Sequence, residues 1–185
     1  MAGLIRHPLA PIDGWDIKPQ WPYVLNGDSP LAKGLIGWWP GDPSGGGKLW
    51  DLSGKSNNGV LVGSSNTLPV WAPGKDGGKS ALLYTAGSSN YVDLGNSSAI
   101  NPPLMTVSCW FKTQSTGQQM LMARDDNTLG RAYFFGINNT GTDVTFQTVT
   151  SVVFTITLVL NAWYHACATA DGTNLIIYLN GKKVA

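Results

Sequence analysis

The chain has 185 residues and a formal net charge of +1 without a block of like charges, so it lacks the electrostatic footprint of a partner for DNA, RNA or an anionic membrane surface. Charged residues make up only 12% while glycine (23) and tryptophan (8) are abundant, the profile of a β-rich, turn-rich protein working outside the ordinary cytosol. All 11 acidic residues are aspartates and none is a glutamate, which excludes any mechanism that needs a glutamate side chain.

The N-terminus, Met1-Ala-Gly-Leu-Ile-Arg-His-Pro8, has no apolar run of the kind a classical secretory signal needs, and no stretch of the chain is long and apolar enough for a membrane-inserted helix. Residues 1–30 hold five of the 11 prolines (Pro8, Pro11, Pro19, Pro22 and Pro30), which disfavour helix and remove ladder donors. This predicts an extended arm. Its large apolar groups (Ile12, Trp15, Ile17, Trp21, Tyr23, Leu25) are too many for a free linker. Either the arm lies across its own domain, or it docks on a neighbouring subunit with Trp15, Trp21 and Tyr23 as anchors, aromatic residues being favoured at such contacts.

From residue 31 to residue 185 short apolar runs alternate with Gly, Asn, Asp and Ser clusters, as expected of one antiparallel β-sandwich domain. Predicted strands are 34–39, 60–62, 80–84, 91–94, 105–113, 120–123, 131–137, 143–148, 152–160, 163–169 and 175–179, with almost no candidate for helix. By the period of two, Val107, Cys109 and Phe111 share one face of their strand and Thr106, Ser108, Trp110 and Lys112 the other. Phe154, Ile156, Leu158 and Leu160 similarly face away from Thr155 and Thr157. The segment Gly74-Lys-Asp-Gly-Gly-Lys-Ser80 comes close to a phosphate-binding loop, but it is one residue short between its outer glycines and leads into a β-like Ala-Leu-Leu-Tyr, so it reads as a turn. His7 and His165 are far apart in sequence, and His165 reads as a structural imidazole. The last stretch reads as a hairpin with Asp171-Gly172 as a two-residue turn, followed by Asn180-Gly181, the strongest type I′ turn dipeptide, which promises one more strand.

Several pieces taken together identify a relationship: Gly34-Leu-Ile-Gly-Trp-Trp-Pro-Gly-Asp42, Trp50-Asp-Leu-Ser-Gly-Lys-Ser-Asn-Asn-Gly-Val60, Tyr91-Val-Asp-Leu-Gly95, Thr106-Val-Ser-Cys-Trp-Phe-Lys112, Trp163-Tyr-His165 and Asn180-Gly-Lys182. In this order and spacing they resemble the laminin-G-like domains of the concanavalin A-like lectin/glucanase superfamily. The resemblance implies an all-β antiparallel jelly-roll sandwich over residues 31–185, but not one function, because the fold hosts lectins, adhesion modules, pentraxins and glycosidases. The family's domains also continue past the Asn-Gly-Lys hairpin. The expectation is therefore that either the polypeptide continues beyond Ala185 or another chain pairs along the open C-terminal edge by strand addition. The arm, with Ser29-Pro-Leu-Ala-Lys-Gly-Leu-Ile-Gly-Trp38, additionally resembles structural proteins of tailed phages.

The glucanases of the superfamily use paired glutamates, and this chain has none. Asp125 and Asp126 are adjacent and so point to opposite sides of a strand, the wrong geometry for a shared substrate. Resemblance to pentraxins places Asp125, Asp126 and Asn127 where Ca²⁺ ligands occur, and a turn with solvated carboxylates explains the same residues. It also places Cys109 and Cys167 in neighbouring strands, but the alignment puts Ser108 where the pentraxin cysteine stands, so two free thiols are expected. For a glycan the available aromatic planes and polar groups are Trp71, Arg131, Tyr133 and Asn138, with Asn139 beside them. The favoured function is a non-enzymatic structural or binding module on a virion or cell surface, attached to partner subunits through its arm and taking surface glycan as a further partner. The alternative is a fragment of a secreted polysaccharide-active enzyme.

Overall fold

The computed structural model describes residues 24–41, 46–64, 67–75, 77–85, 87–126, 130–138 and 143–185. The anchors expected in the arm, Trp15, Trp21 and Tyr23, lie outside them, as do Asn127 and Asn139. The described chain contains thirteen strands, all antiparallel, and two 3-10 turns, Pro30–Ala32 and Ser98–Ile100. Among the described residues no helix is long and apolar enough to cross a membrane. The chain divides into two compact units, the first ending at Leu94 and the second spanning Gly95–Ala185.

The first unit carries β1 (Lys48–Leu49), β2 (Gly59–Val62), β3 (Val70–Gly74), β4 (Gly77–Leu83) and β5 (Tyr91–Asp93). Its sheets are β1-β2-β5 and the hairpin β3-β4. The glycine-rich segment around Gly74 is the turn of that hairpin, with Gly74 opposite Gly77, as its residues suggest. The strand expected over residues 34–39 does not form. The Trp38 N–H is taken by the Asp51 side chain at 2.8 Å and the Trp38 carbonyl by Leu52 N–H at 2.8 Å, so this stretch is fixed by a loop and not by a ladder.

The second unit carries β6 (Met105–Lys112), β7 (Gln119–Asp126), β8 (Gly130–Ile137), β9 (Asp143–Gln147), β10 (Ser151–Thr155), β11 (Trp163–Ala170), β12 (Leu175–Leu179) and β13 (Lys182–Lys183). They form two four-stranded sheets, β10-β9-β8-β7 and β13-β12-β11-β6. Alternation decides what each sheet buries. Phe135 lies opposite Phe146 and Phe146 opposite Val152, while Ile137 lies opposite Val144 and Val144 opposite Phe154. These rows meet Val107, Phe111, Ala166, Ala168, Ile177 and Leu179 of the other sheet in one apolar core. The small alanines of β11 let the rings of Phe135 and Phe146 fill the interior, where they meet edge to face with centroids 5.9 Å apart.

The register of β6 against β11 places Ser108, not Cys109, opposite Cys167, and Cys109 opposite Ala166. The thiols thus stand on opposite faces of one sheet, as the alignment implies. Burial, with Cys167 nearby, pushes the Cys109 thiol up to about 12, and burial raises Cys167 as well.

Two local expectations change and a third holds. Leu160 leaves the face shared by Phe154, Ile156 and Leu158 and is 42% exposed, because the chain turns at Asn161 (φ +63°). The β11–β12 connection is a four-residue loop, Asp171 to Asn174, in which the Asp171 carboxylate accepts from Thr173 N–H and Asn174 N–H. The Asn180-Gly181 turn forms as expected, both residues having positive φ, and β13 begins at once with Lys182 opposite Leu179.

Candidate functional site

Among the described residues of the first unit, exposed aromatic side chains stand on one face of the β1-β2-β5 sheet. Lys48 lies opposite Val60 and Val60 opposite Asp93, while Val62 lies opposite Tyr91. Alternation therefore places Lys48, Val60, Asp93 and Tyr91 on one side, with Trp50 two residues beyond Lys48 on the same side. The opposite side carries Leu49, Gly59, Leu61 and Val92, and Leu61 there is buried. Burying one side leaves the other in solvent: Trp50 is 42% exposed and Tyr91 52%. A shallow cleft of about 390 Å³ opens on this face, lined by Gly46, Gly47, Lys48, Trp50 and Val60. The Lys48 ammonium sits 5.3 Å from the centre of the Trp50 ring, and the indole N–H of Trp71 donates to the Gly46 carbonyl at 2.8 Å, holding the glycine wall in place.

What positions Trp50 is its neighbour. The buried Asp51 carboxylate accepts from Trp38 N–H (2.8 Å), Ser53 N–H (2.8 Å), the Ser53 hydroxyl (2.8 Å) and Asn57 N–H (2.9 Å). Its own N–H donates to the Asn58 side chain at 2.9 Å, and the Asn57 amide donates to the Ile36 carbonyl at 2.8 Å. The Trp39 indole closes the knot by donating to the Asn57 carbonyl at 2.8 Å. Gly37 is required here, because any β-carbon at that position would fall into the Trp39 ring. Burial alone pushes the Asp51 carboxyl up, but the donors from Trp38, Ser53 and Asn57 together hold it below its ordinary value. A charged, saturated carboxylate of this kind is a staple and is not free to act as an acid or base.

The residues expected to hold a glycan are placed differently. Trp71 belongs to the first unit and braces the cleft through Gly46, while Arg131, Tyr133 and Asn138 belong to β8 and its end. Tyr133 does not serve as a stacking plane: it is 4% exposed, and its hydroxyl donates to the Ile100 carbonyl at 3.3 Å. Arg124, opposite it in β7, donates to the Ser97 and Asn96 carbonyls at 3.0 Å each, so the pair pins the Ser98–Ile100 turn. The Asn138 amide is engaged by the Asp143 carboxylate, and its N–H donates to the Asp143 carbonyl at 3.0 Å. Sequence reasoning passed over Trp50 as a site residue because the Trp-Asp-Leu-Ser-Gly segment served as a family marker. The available signal was that a tryptophan following a three-glycine run and a lysine has little around it to bury it.

Asp125 and Asp126 end β7 opposite Arg131 and Gly130. Among the described residues no three His, Cys, Asp or Glu side chains gather to hold a metal ion. His165 lies in β11 with its ring 5.2 Å from that of Trp110, and burial pushes the imidazole below its ordinary value.

No curated protein and no solved structure is significantly similar to the chain. The Laminin_G_3 family model, described as Concanavalin A-like lectin/glucanases superfamily, matches residues 86–185. That span is more than half of the chain, and its strands are those of the two-sheet sandwich together with β5; the protein belongs to this family of the Concanavalin A-like lectin/glucanases superfamily.

Proposed function

We propose that the protein is a non-catalytic binding module whose Trp50 cleft holds a neutral saccharide. Family membership and fold support a carbohydrate- or protein-binding β-sandwich module, and the observation that carries the finer reading is the exposed Trp50 ring over a glycine-walled cleft. An indole face offers a sugar ring's C–H surface an apolar plane, while the Lys48 ammonium offers its hydroxyls hydrogen bonds. The face carries one cation, Lys48, and one anion, Asp93, a balance that suits a neutral chain better than an acidic one. The total absence of glutamate supports binding without glycosidic cleavage, since the paired-glutamate route has no residues to run on.

In this reading the module is displayed on a virion or cell surface and held there through its N-terminal arm, with Trp15, Trp21 and Tyr23 as anchors. The proline spacing and large apolar groups of that arm support the attachment. Titration of neutral oligosaccharides by calorimetry tests the site. Trp50→Ala should weaken binding about tenfold or more with the circular dichroism spectrum unchanged. Unaltered affinity in that variant overturns the cleft, and release of reducing ends from the oligosaccharides overturns the non-catalytic assignment.

A further inference from the structure

Trp50, Val60 and Tyr91 fall on one diagonal line across the solvent side of the β1-β2-β5 sheet. Leu49 stands opposite Gly59 and Lys48 opposite Val60, so Trp50 lies in the row before Val60 on that side. Val60 stands opposite Asp93 and Val62 opposite Tyr91, so Tyr91 lies in the row after it. Each step is two residues along a strand and one strand across. Strand geometry therefore separates the backbones of Trp50 and Tyr91 by about 13 Å along the strands and about 10 Å across them. All three side chains are exposed. The sheet behind them is tightly backed, since a β-carbon at Gly59 would run into the Val92 and Leu94 side chains. Lys48 and Asp93 occupy the row of Val60 itself, one on each side of the line.

Resting on the saccharide reading of the Trp50 cleft, we propose that Tyr91 is a second stacking platform, and that the ligand is several residues of an extended, neutral, equatorially linked glycan laid along this line. One pyranose ring is too small to touch both aromatic rings, so the two platforms take different residues of one chain. Val60 gives the stretch between them an apolar floor, and Lys48 and Asp93 flank the path where ring hydroxyls project. Equatorial linkages keep successive sugar rings in a straight ribbon that follows three side chains in line, whereas axial linkages curl a chain away from a sheet surface. Two modest stacking contacts on one ligand then reinforce each other, because the second forms without a fresh loss of translational freedom.

Calorimetric titration of the full chain with equatorially linked neutral gluco-oligosaccharides, from the monosaccharide to the hexasaccharide, tests the second platform. Affinity is expected to rise with length until the ligand reaches both rings and then to level off, and the axially linked hexasaccharide is expected to bind about tenfold more weakly. Tyr91→Ala should weaken the equatorially linked hexasaccharide about tenfold and leave the disaccharide unchanged, Tyr91→Phe should keep the native affinity, and Trp50→Ala should weaken both ligands. Tyr91→Thr, which retains a strand-favouring residue, takes the place of the alanine variant should that one unfold. Unchanged hexasaccharide affinity in Tyr91→Ala, an affinity independent of length, or equal binding of the axially linked hexasaccharide overturns the extended site and leaves the Trp50 cleft standing. No binding by the native chain, or no loss in Trp50→Ala, overturns the cleft and the second platform together.

Discussion

The two units achieve order by opposite means. The second is held by apolar surface: Phe135, Ile137, Val144, Phe146 and Ile177 are fully buried, and the core cluster lies wholly within it. In the first, the loop that presents Trp50 is organised by one carboxylate with four donors, Asp51, and by the side chains of Asn57, Asn58 and Trp39. An apolar core stabilises in proportion to area and tolerates many sequences of similar volume. A hydrogen-bonded knot stabilises by geometry and tolerates few, since each donor left buried without its partner costs more than the bond contributes net. A binding face benefits from the second kind of order, because the knot fixes the backbone under Trp50 while leaving its ring uncovered.

The largest expected effect lies in the apolar unit. Phe146→Ala removes a ring from the centre of the core and is expected to destabilise the second unit by about 3–5 kcal/mol, read from the shift in its denaturant midpoint. A loss under about 1 kcal/mol would show that the sandwich is not where this unit's stability resides.

Next comes the knot. Asp51→Ala should cost on the order of 2–3 kcal/mol locally, seen as faster amide exchange at Trp38, Ser53 and Asn57. The same group predicts a pH dependence. Its folded value lies below the ordinary 3.8, so its contribution is fully present above about pH 4 and is lost as pH falls through the lowered folded value. Protection of those three amides should therefore fade in acid in the native protein and show no such step in Asp51→Asn. Acid-independent protection in the native chain would remove the carboxylate from its assigned role.

The smallest effect tests a turn. Gly181 has φ +77° in the β12–β13 connection, and Gly181→Ala should cost about 1–2 kcal/mol by forcing a side chain into the left-handed region. No change in thermal midpoint would mean that this hairpin adds little to the second unit.

Several local decisions were legible, although the Asp171-Gly172 turn proved to be a four-residue loop. The period of two in Thr106–Lys112 and in Phe154–Leu158 named the faces correctly, and Asn180-Gly181 named its turn, because alternation and positive φ are properties of a few consecutive residues. The failures that bear on the site came where a distant residue intervened. The strand expected over 34–39 was lost to Asp51, thirteen positions away from the Trp38 amide that it accepts from. Tyr133 was available as a sugar platform on composition alone, but Ile100, thirty-three positions away, takes its hydroxyl, and the packing of β8 hides its ring.

The sequence by itself determined the all-β class, the antiparallel strands, the family and the exclusion of a paired-glutamate mechanism, since these follow from short-range pattern, motif order and the simple absence of a residue type. Only the tertiary structure decided which aromatic faces solvent. Trp38, Trp39, Trp50 and Trp71 are chemically alike in the chain. Trp39 and Trp71 are tied down by carbonyls eighteen and twenty-five positions away, whereas Trp50 stands on the uncovered side of a three-stranded sheet whose other side had Leu61 to bury. Exposure is a property of what packs against the opposite face, and that partner is chosen by long-range contacts no local window contains.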